Sequence, residues 1–144
     1  MLIRQGRGMS KKKIFIADDE EVILQSLGDL LRLSGFEVET TRYAKEAVPM
    51  IKLFKPDVIL LDLLMPNLGG LEICEMLNND AATRGIPVII ISALAGYTDI
   101  KRAYKLGVVG YFAKPYDFQA LLKEIEKVIA EKEGRGLEGG ELGH

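Results

Sequence analysis

An open, doubly wound α/β fold is what this sequence predicts, and three observations predict it. Five short apolar segments alternate with five segments of helical spacing. The first, third and fourth apolar segments are apolar on both faces, as strands of a parallel sheet covered on both sides require. There is no internal repeat, and 144 residues suit one domain with a sizeable core. Alternation of this kind gives one sheet with helices packed on both of its faces.

The elements follow in order. KIFIAD, residues 13–18, is short and rich in Ile and Phe, and reads as the first strand. In the helix after it, Ile23, Leu27, Leu30, Leu31 and Ser34 share one face, and Gly35 stops it. FEVETT, residues 36–41, alternates with period two, the pattern of a strand with one less buried face, as at a sheet edge. Residues 44–54 form a weaker helix that Pro49 is expected to interrupt and distort. DVILLD, residues 57–62, is the third strand, and a short helix covers about 70–79. PVIIIS, 87–92, is the fourth strand; a helix over about 97–106 ends at Gly107; VVGYFA, 108–113, is the fifth strand. The last helix is the clearest, with Phe118, Leu121, Leu122, Ile125, Val128 and Ile129 on one apolar stripe.

Composition narrows the function. The chain is 48% apolar with a formal charge of -2, which is globular and predicts no general attraction to nucleic acid or an anionic membrane. No apolar run approaches the roughly 20 residues of a membrane span. The basic amino-terminal stretch is followed only by IFIA before acid, too short for a signal-peptide core, so a cytoplasmic protein is expected. A single domain is expected over 12–131, with a flexible extension at 1–11 and a flexible Gly-rich tail at 132–144. Cys74 is the only cysteine, so no internal disulfide forms, and its helical setting suits a small buried apolar residue. The only histidine is His144, the last residue. Ser-His-Asp, Cys-His and His-rich zinc sites are thereby excluded. Chemistry in this chain rests on carboxylates, hydroxyls and lysines.

In doubly wound folds, ligands sit beyond the carboxyl ends of the strands, where the strand order reverses. The first strand ends in Asp18 and Asp19, the third in Asp62, the fourth in Ser92 and Ala93, and the fifth runs into Lys114 and Pro115. Singly, each has an ordinary role: helix cap, turn former, strand-end hydroxyl, solvated lysine. Together they put three carboxylates, a hydroxyl and an ammonium on one edge of the sheet. Three carboxylates within a few ångströms repel, and at least one takes up a proton unless a cation intervenes. Lys114 neutralises one charge. The remaining ligands are hard oxygens, for which magnesium is the natural cation. A carboxylate held beside magnesium, an ammonium and a hydroxyl is placed to attack a phosphoryl group, with an aspartyl phosphate on Asp62 as the product.

Four ordered motifs resemble the receiver domains of two-component response regulators. FIADDEE resembles the acidic-pair motif, VILLDLLMPNLGGLEI the phosphoacceptor strand and its loop, PVIIISALA the hydroxyl-bearing strand, and GYFAKP the aromatic-x-x-Lys-Pro ending. The resemblance covers about 12–131. It implies a five-stranded CheY-like (flavodoxin-like) sheet of order 2-1-3-4-5, and phosphorylation of Asp62 by a sensor histidine kinase or phosphotransfer protein. It further implies magnesium held directly by Asp19 and Asp62, by Asp18 mostly through water, and by the backbone carbonyl of Leu64. Ser92, Ala93 and Lys114 would surround the phosphoryl oxygens, and Ser92 and Tyr111 would form the switch. The Lys114–Pro115 bond is a candidate cis peptide. A protein partner would read the surface of the fourth helix, fifth strand and fifth helix, with the chain a monomer or a phosphorylation-dependent dimer. Three departures from the family pattern stand out: Pro49 in the second helix, Ser92 for the commoner Thr, and an apolar Leu64 two residues after the phosphoacceptor.

Three other functions compete. An aspartate-nucleophile phosphohydrolase wants a second acid two residues after the nucleophile, where this chain has Leu64. A nucleotide- or flavin-binding module needs a Gly-rich loop after the first strand, where this chain has DDEEV. A receiver-like scaffold that takes no phosphate is the third.

Overall fold

The computed structural model describes residues 10–94 and 96–138. Five strands, β1 (Lys13–Ala17), β2 (Glu37–Thr41), β3 (Val58–Leu61), β4 (Val88–Ser92) and β5 (Gly110–Ala113), alternate with five helices. The helices are α1 (Glu21–Leu33), α2 (Ala44–Phe54), α3 (Gly70–Asn78), α4 (Tyr97–Lys105) and α5 (Phe118–Glu138). The strands form one parallel sheet in the order β2-β1-β3-β4-β5, as expected.

Alternation along the strands sorts side chains to two cores. Phe15, Ala17, Ile59, Leu61 and Ile90 face a layer that includes Ala47, Ile51 and Phe54 of α2, Ile73 and Leu77 of α3, and Ala103 of α4. Ile14, Ile16, Leu60, Ile89 and Ile91 face the other way, onto Leu24, Leu27 and Leu31 of α1 and Leu121, Ile125 and Val128 of α5. All four residues of β3 are buried, as its unbroken apolar run requires. β2, at the edge, keeps the predicted alternation: Val38 is buried while Glu37 and Glu39 are exposed.

Two helices stop where glycine permits. Gly35 and Gly107 have φ of 103° and 94°, a left-handed conformation that L side chains rarely adopt. At each stop the next N–H reaches back five residues, Phe36 to Leu31 at 3.1 Å and Val108 to Ala103 at 3.3 Å.

Several expectations are corrected. The buried face of α1 is Leu24, Leu27, Gly28 and Leu31; Leu30, expected inside, is 43% exposed, and Ser34 is exposed as well. Apolar residues cover more than half of this helix's circumference, so packing against the sheet, not spacing, decides which part turns in. Pro49 does not break α2, which runs unbroken from Ala44 to Phe54. Pro49 removes only the hydrogen bond its own N–H would donate to Lys45, and the buried Ala47, Val48, Ile51 and Phe54 hold the helix to the sheet. The fifth strand begins at Gly110, two residues later than expected. α5 continues past the expected helical stripe to Glu138. The ends at 1–9 and 139–144, where most of the flexible extensions were expected, lie outside the described residues. Among the described residues no helix is long and apolar enough to cross a membrane.

Candidate functional site

Strand register assembles the site. Ala17 pairs with Leu61, so the next residue on each strand, Asp18 and Asp62, leaves the sheet beside its neighbour. Ser92 pairs with Ala113, and Lys114 follows. The parallel ladder continues one residue past the strands: Asp18 N–H donates to the Thr41 carbonyl at 3.1 Å, Asp62 N–H to Ala17 at 2.9 Å, and Lys114 N–H to Ser92 at 2.9 Å. These three candidate residues are thus fixed by backbone bonds at their own positions.

Lys114 lies at the centre. Its Nζ donates to Asp18 Oδ2 at 2.8 Å, to Glu20 Oε1 at 2.6 Å and to Asp62 Oδ2 at 3.3 Å. The side chains of Asp18 and Asp62 are each 4% exposed and that of Lys114 12%. The second oxygen of Asp62 accepts the Leu64 N–H at 3.0 Å, and Oδ1 of Asp18 accepts the Glu20 N–H at 2.9 Å. Both buried carboxylates are therefore oriented by a backbone donor two residues ahead.

Electrostatics reflects the crowding. Burial raises the carboxyl of Asp18 above its usual range and the Asp62 charge adds to this, against the pull of Lys114 and the Glu20 N–H. Burial works against the charged form of Lys114, yet the hydrogen bonds to Asp18 and Glu20 and the charges of Asp18 and Asp62 outweigh it and raise its ammonium above the ordinary lysine value. Carboxylate oxygens of Asp18, Glu20 and Asp62 lie within 4.8 Å of one another. Three hard carboxylates sharing a single ammonium leave negative charge in excess, which is a donor set suited to a small divalent cation.

The structure brings three of the predicted residues together and adds a fourth. Asp18, Asp62 and Lys114 converge. The third carboxylate of the cluster is Glu20, which the sequence reading passed over although it stands in the quoted acidic run. Asp19, expected in that place, lies outside the cluster and lines a neighbouring cavity of about 460 Å³ with Arg42, Lys45, Pro66 and Asn67. Its carbonyl accepts the Arg42 Nε–H at 3.3 Å.

Ser92 is buried at the end of β4, and its Oγ accepts the Leu94 N–H at 3.1 Å. Ala93 beside it is exposed. Tyr111 on β5 is half-buried, and its hydroxyl donates to the Leu94 carbonyl at 2.6 Å. Leu94, in the loop after Ser92, is thereby tied to Ser92 through its N–H and to Tyr111 through its carbonyl. Burial, with the Asp99 charge next, raises the phenol of Tyr111. The Lys114–Pro115 peptide bond is cis. Cys74 is buried, and burial pushes its thiol up to about 12, the state of an inert packing residue.

Comparison with known proteins bears on the fold and the family. A model of the response regulator receiver domain matches residues 14–126. The polar-differentiation response regulator DivK of Brucella anthropi is 32% identical over 120 residues, which cover 83% of this chain and 98% of that protein. Among solved structures, a CheY-like response regulator receiver domain protein from Methanospirillum hungatei superposes with a TM-score of 0.83 at 28% identity, covering 88% of this chain and 99% of the other. Chemotaxis protein CheY4 of Vibrio cholerae gives a TM-score of 0.78 at 25% identity, covering 83% and 99%. The chain belongs to the response regulator receiver domain family.

Proposed function

We propose that this domain is a phosphoryl-accepting switch, in which Asp62 takes a phosphoryl group from a sensor histidine kinase or a phosphotransfer protein and a protein partner reads the result. One observation carries the reading. A buried carboxylate ends the central strand with one oxygen held by the Leu64 N–H at 3.0 Å and the other facing the Lys114 ammonium at 3.3 Å.

The chemistry follows from these positions. An oxygen of Asp62 attacks phosphorus, the new P–O bond forms, and the bond from phosphorus to the donor's histidine nitrogen breaks, leaving neutral histidine once it has taken up a proton. Lys114 is close enough to bind a phosphoryl oxygen as charge moves onto it, and the Ser92 hydroxyl would take another. Asp18, Asp62 and the Leu64 carbonyl would hold magnesium, with Asp19 turning in from the neighbouring cavity, and the ion would supply positive charge to the carboxylates and the transferring oxygens. The small Ala93 leaves the product open to water. In self-dephosphorylation water attacks phosphorus, the bond to the Asp62 oxygen breaks, and inorganic phosphate leaves. No outside substrate is turned over, so the domain acts as a signalling switch in the cytoplasm.

The signal travels through the loop after Ser92. When Ser92 turns to the phosphoryl group its hold on the Leu94 N–H changes, and Tyr111 is hydrogen-bonded to that same residue. Phosphorylation favours one of two arrangements of the α4-β5-α5 surface and shifts the population toward it. The occupant of that surface is a protein partner, or a second phosphorylated copy, and not nucleic acid.

The test is intact mass after incubation with acetyl phosphate and magnesium, comparing wild type with Asp62→Asn. One added phosphoryl group on wild type and none on the variant is expected. Unmodified wild type would favour a scaffold that takes no phosphate, and equal labelling of both would move the site elsewhere.

A further inference from the structure

The ammonium of Lys114 has three N–H donors, and three carboxylates already take them. A phosphoryl group arriving on Asp62 has to win one of these donors. The three acceptors are not equally easy to displace. Asp18 is 4% exposed and is held a second time by the Glu20 N–H, so it has little access to water. Asp62 is itself the residue modified. Glu20 is different: its side chain is 58% exposed, yet it makes the shortest of the three contacts at 2.6 Å. It sits at the start of α1, where its carboxylate makes no capping bond to the helix. Released from Lys114, it returns to water at little cost.

From this geometry we infer that Glu20 is a positioning residue that occupies one donor of the Lys114 ammonium in the resting protein and competes with the phosphoryl group for it. The inference rests on the phosphoacceptor role proposed for Asp62 and adds a control on its rate. The resting domain keeps its cation occupied by a displaceable carboxylate, and each phosphorylation must first turn that carboxylate out. Glu20 thereby slows the acceptance of a phosphoryl group, and the reach of its side chain matters as much as its charge.

Two substitutions separate reach from charge. Glu20→Gln keeps the length and removes the charge; Glu20→Asp keeps the charge and shortens the reach. Neither removes a buried group or a helix cap. The first measurement is the rate of labelling by acetyl phosphate and magnesium, read by intact mass. The second is the rate at which Lys114 is acetylated by acetic anhydride in the unphosphorylated, magnesium-free protein, read by peptide mass.

Both variants are expected to label about threefold faster than wild type, the size set by loss of one half-exposed ion pair, and Lys114 to be acetylated faster by a similar factor. Wild-type labelling rates in both variants, or slower ones, overturn the inference. So does acceleration in Glu20→Gln alone, which makes net charge the whole effect, and so does unchanged Lys114 reactivity. A wild type that takes no label at all overturns the phosphoacceptor reading instead, and this inference falls with it. A labelled wild type with unresponsive variants leaves that reading standing and removes only the role of Glu20.

Discussion

Replacing Gly70 by Ala tests the link between packing and the site directly. Gly70 is the first residue of α3 and is buried against the turn that follows Asp62. A Cβ there would lie 2.6 Å from the Asp62 carbonyl oxygen, 2.7 Å from Leu63 Cα and 2.9 Å from Leu63 Cδ2. Two of these three atoms are backbone, which has no rotamer to escape into. To restore ordinary contact the helix start and the Asp62 segment must part by about 0.8 Å in a close-packed interior. Overpacking of that kind costs about 1–3 kcal/mol, and the lower chain entropy and better helix propensity of Ala return about 0.5–1 kcal/mol. A net loss of about 1–2 kcal/mol is expected from urea unfolding followed by circular dichroism. The same displacement moves the nucleophile, and an error of about 1 Å in a reacting group costs on the order of a hundredfold in rate, so acetyl phosphate labelling falls at least about tenfold. Two controls bracket the effect. In Gly69→Ala the nearest atom is Glu72 Oε1 at 2.9 Å, the end of a flexible side chain, and in Gly85→Ala nothing lies within 4 Å. A Gly70→Ala protein as stable as Gly85→Ala, and labelled at the wild-type rate, would refute the reasoning.

Four further outcomes are expected. Leu60→Ala, at a fully buried position of β3, lowers stability by about 2–5 kcal/mol in the same urea assay. Ser92→Ala leaves the Leu94 N–H without its acceptor, costs about 1 kcal/mol, and slows labelling by acetyl phosphate several-fold. Cys74 stays unreactive toward a disulfide reagent at mildly alkaline pH in the folded protein and reacts fully in denaturant, because burial holds its thiol at about 12. The phenols of Tyr111 and Tyr116 are raised, chiefly by burial, so they ionise later in the folded state than in the unfolded one. Their contribution to stability is therefore full below the ordinary value of about 10 and is lost as pH rises through the folded values. Alkaline absorbance titration of Tyr111→Phe and Tyr116→Phe should each remove part of the late-ionising signal.

Much of the site was legible because it lies where strands end. An acid closing an apolar run marks both the end of a strand and its carboxyl edge, so Asp18 and Asp62 were readable from the run alone. Register then does the rest, and register follows from burial of alternate residues. Lys114 was readable for the same reason, one residue beyond β5. Glu20 was not. Whether the side chain after the acidic pair turns back over the sheet edge depends on the path of a three-residue turn, and apolar spacing carries nothing about that path. The same turn carries Asp19 into the neighbouring cavity and out of the cluster. In α1 the sequence is apolar at Val22, Ile23, Leu24, Leu27, Leu30, Leu31 and Leu33, so spacing alone allows more than one inward face. Contact with β1 and β2 selects the one bearing Leu24, Leu27 and Leu31. Pro49 shows the converse: a local signal for interruption gave way to the packing of the residues around it.

The edge strand β2 has a consequence for how copies of this protein meet. Its outer side is a sheet edge, the usual template on which a stranger's strand docks, and the Arg32 guanidinium already takes the Val38 carbonyl there at 3.1 Å. Here the exposed Glu37 and Glu39 stand along that border, and a second molecule pairing there would have to crowd its own acids against them. Sheet-to-sheet joining is thereby discouraged in a crowded solution, and self-association is left to helical surfaces.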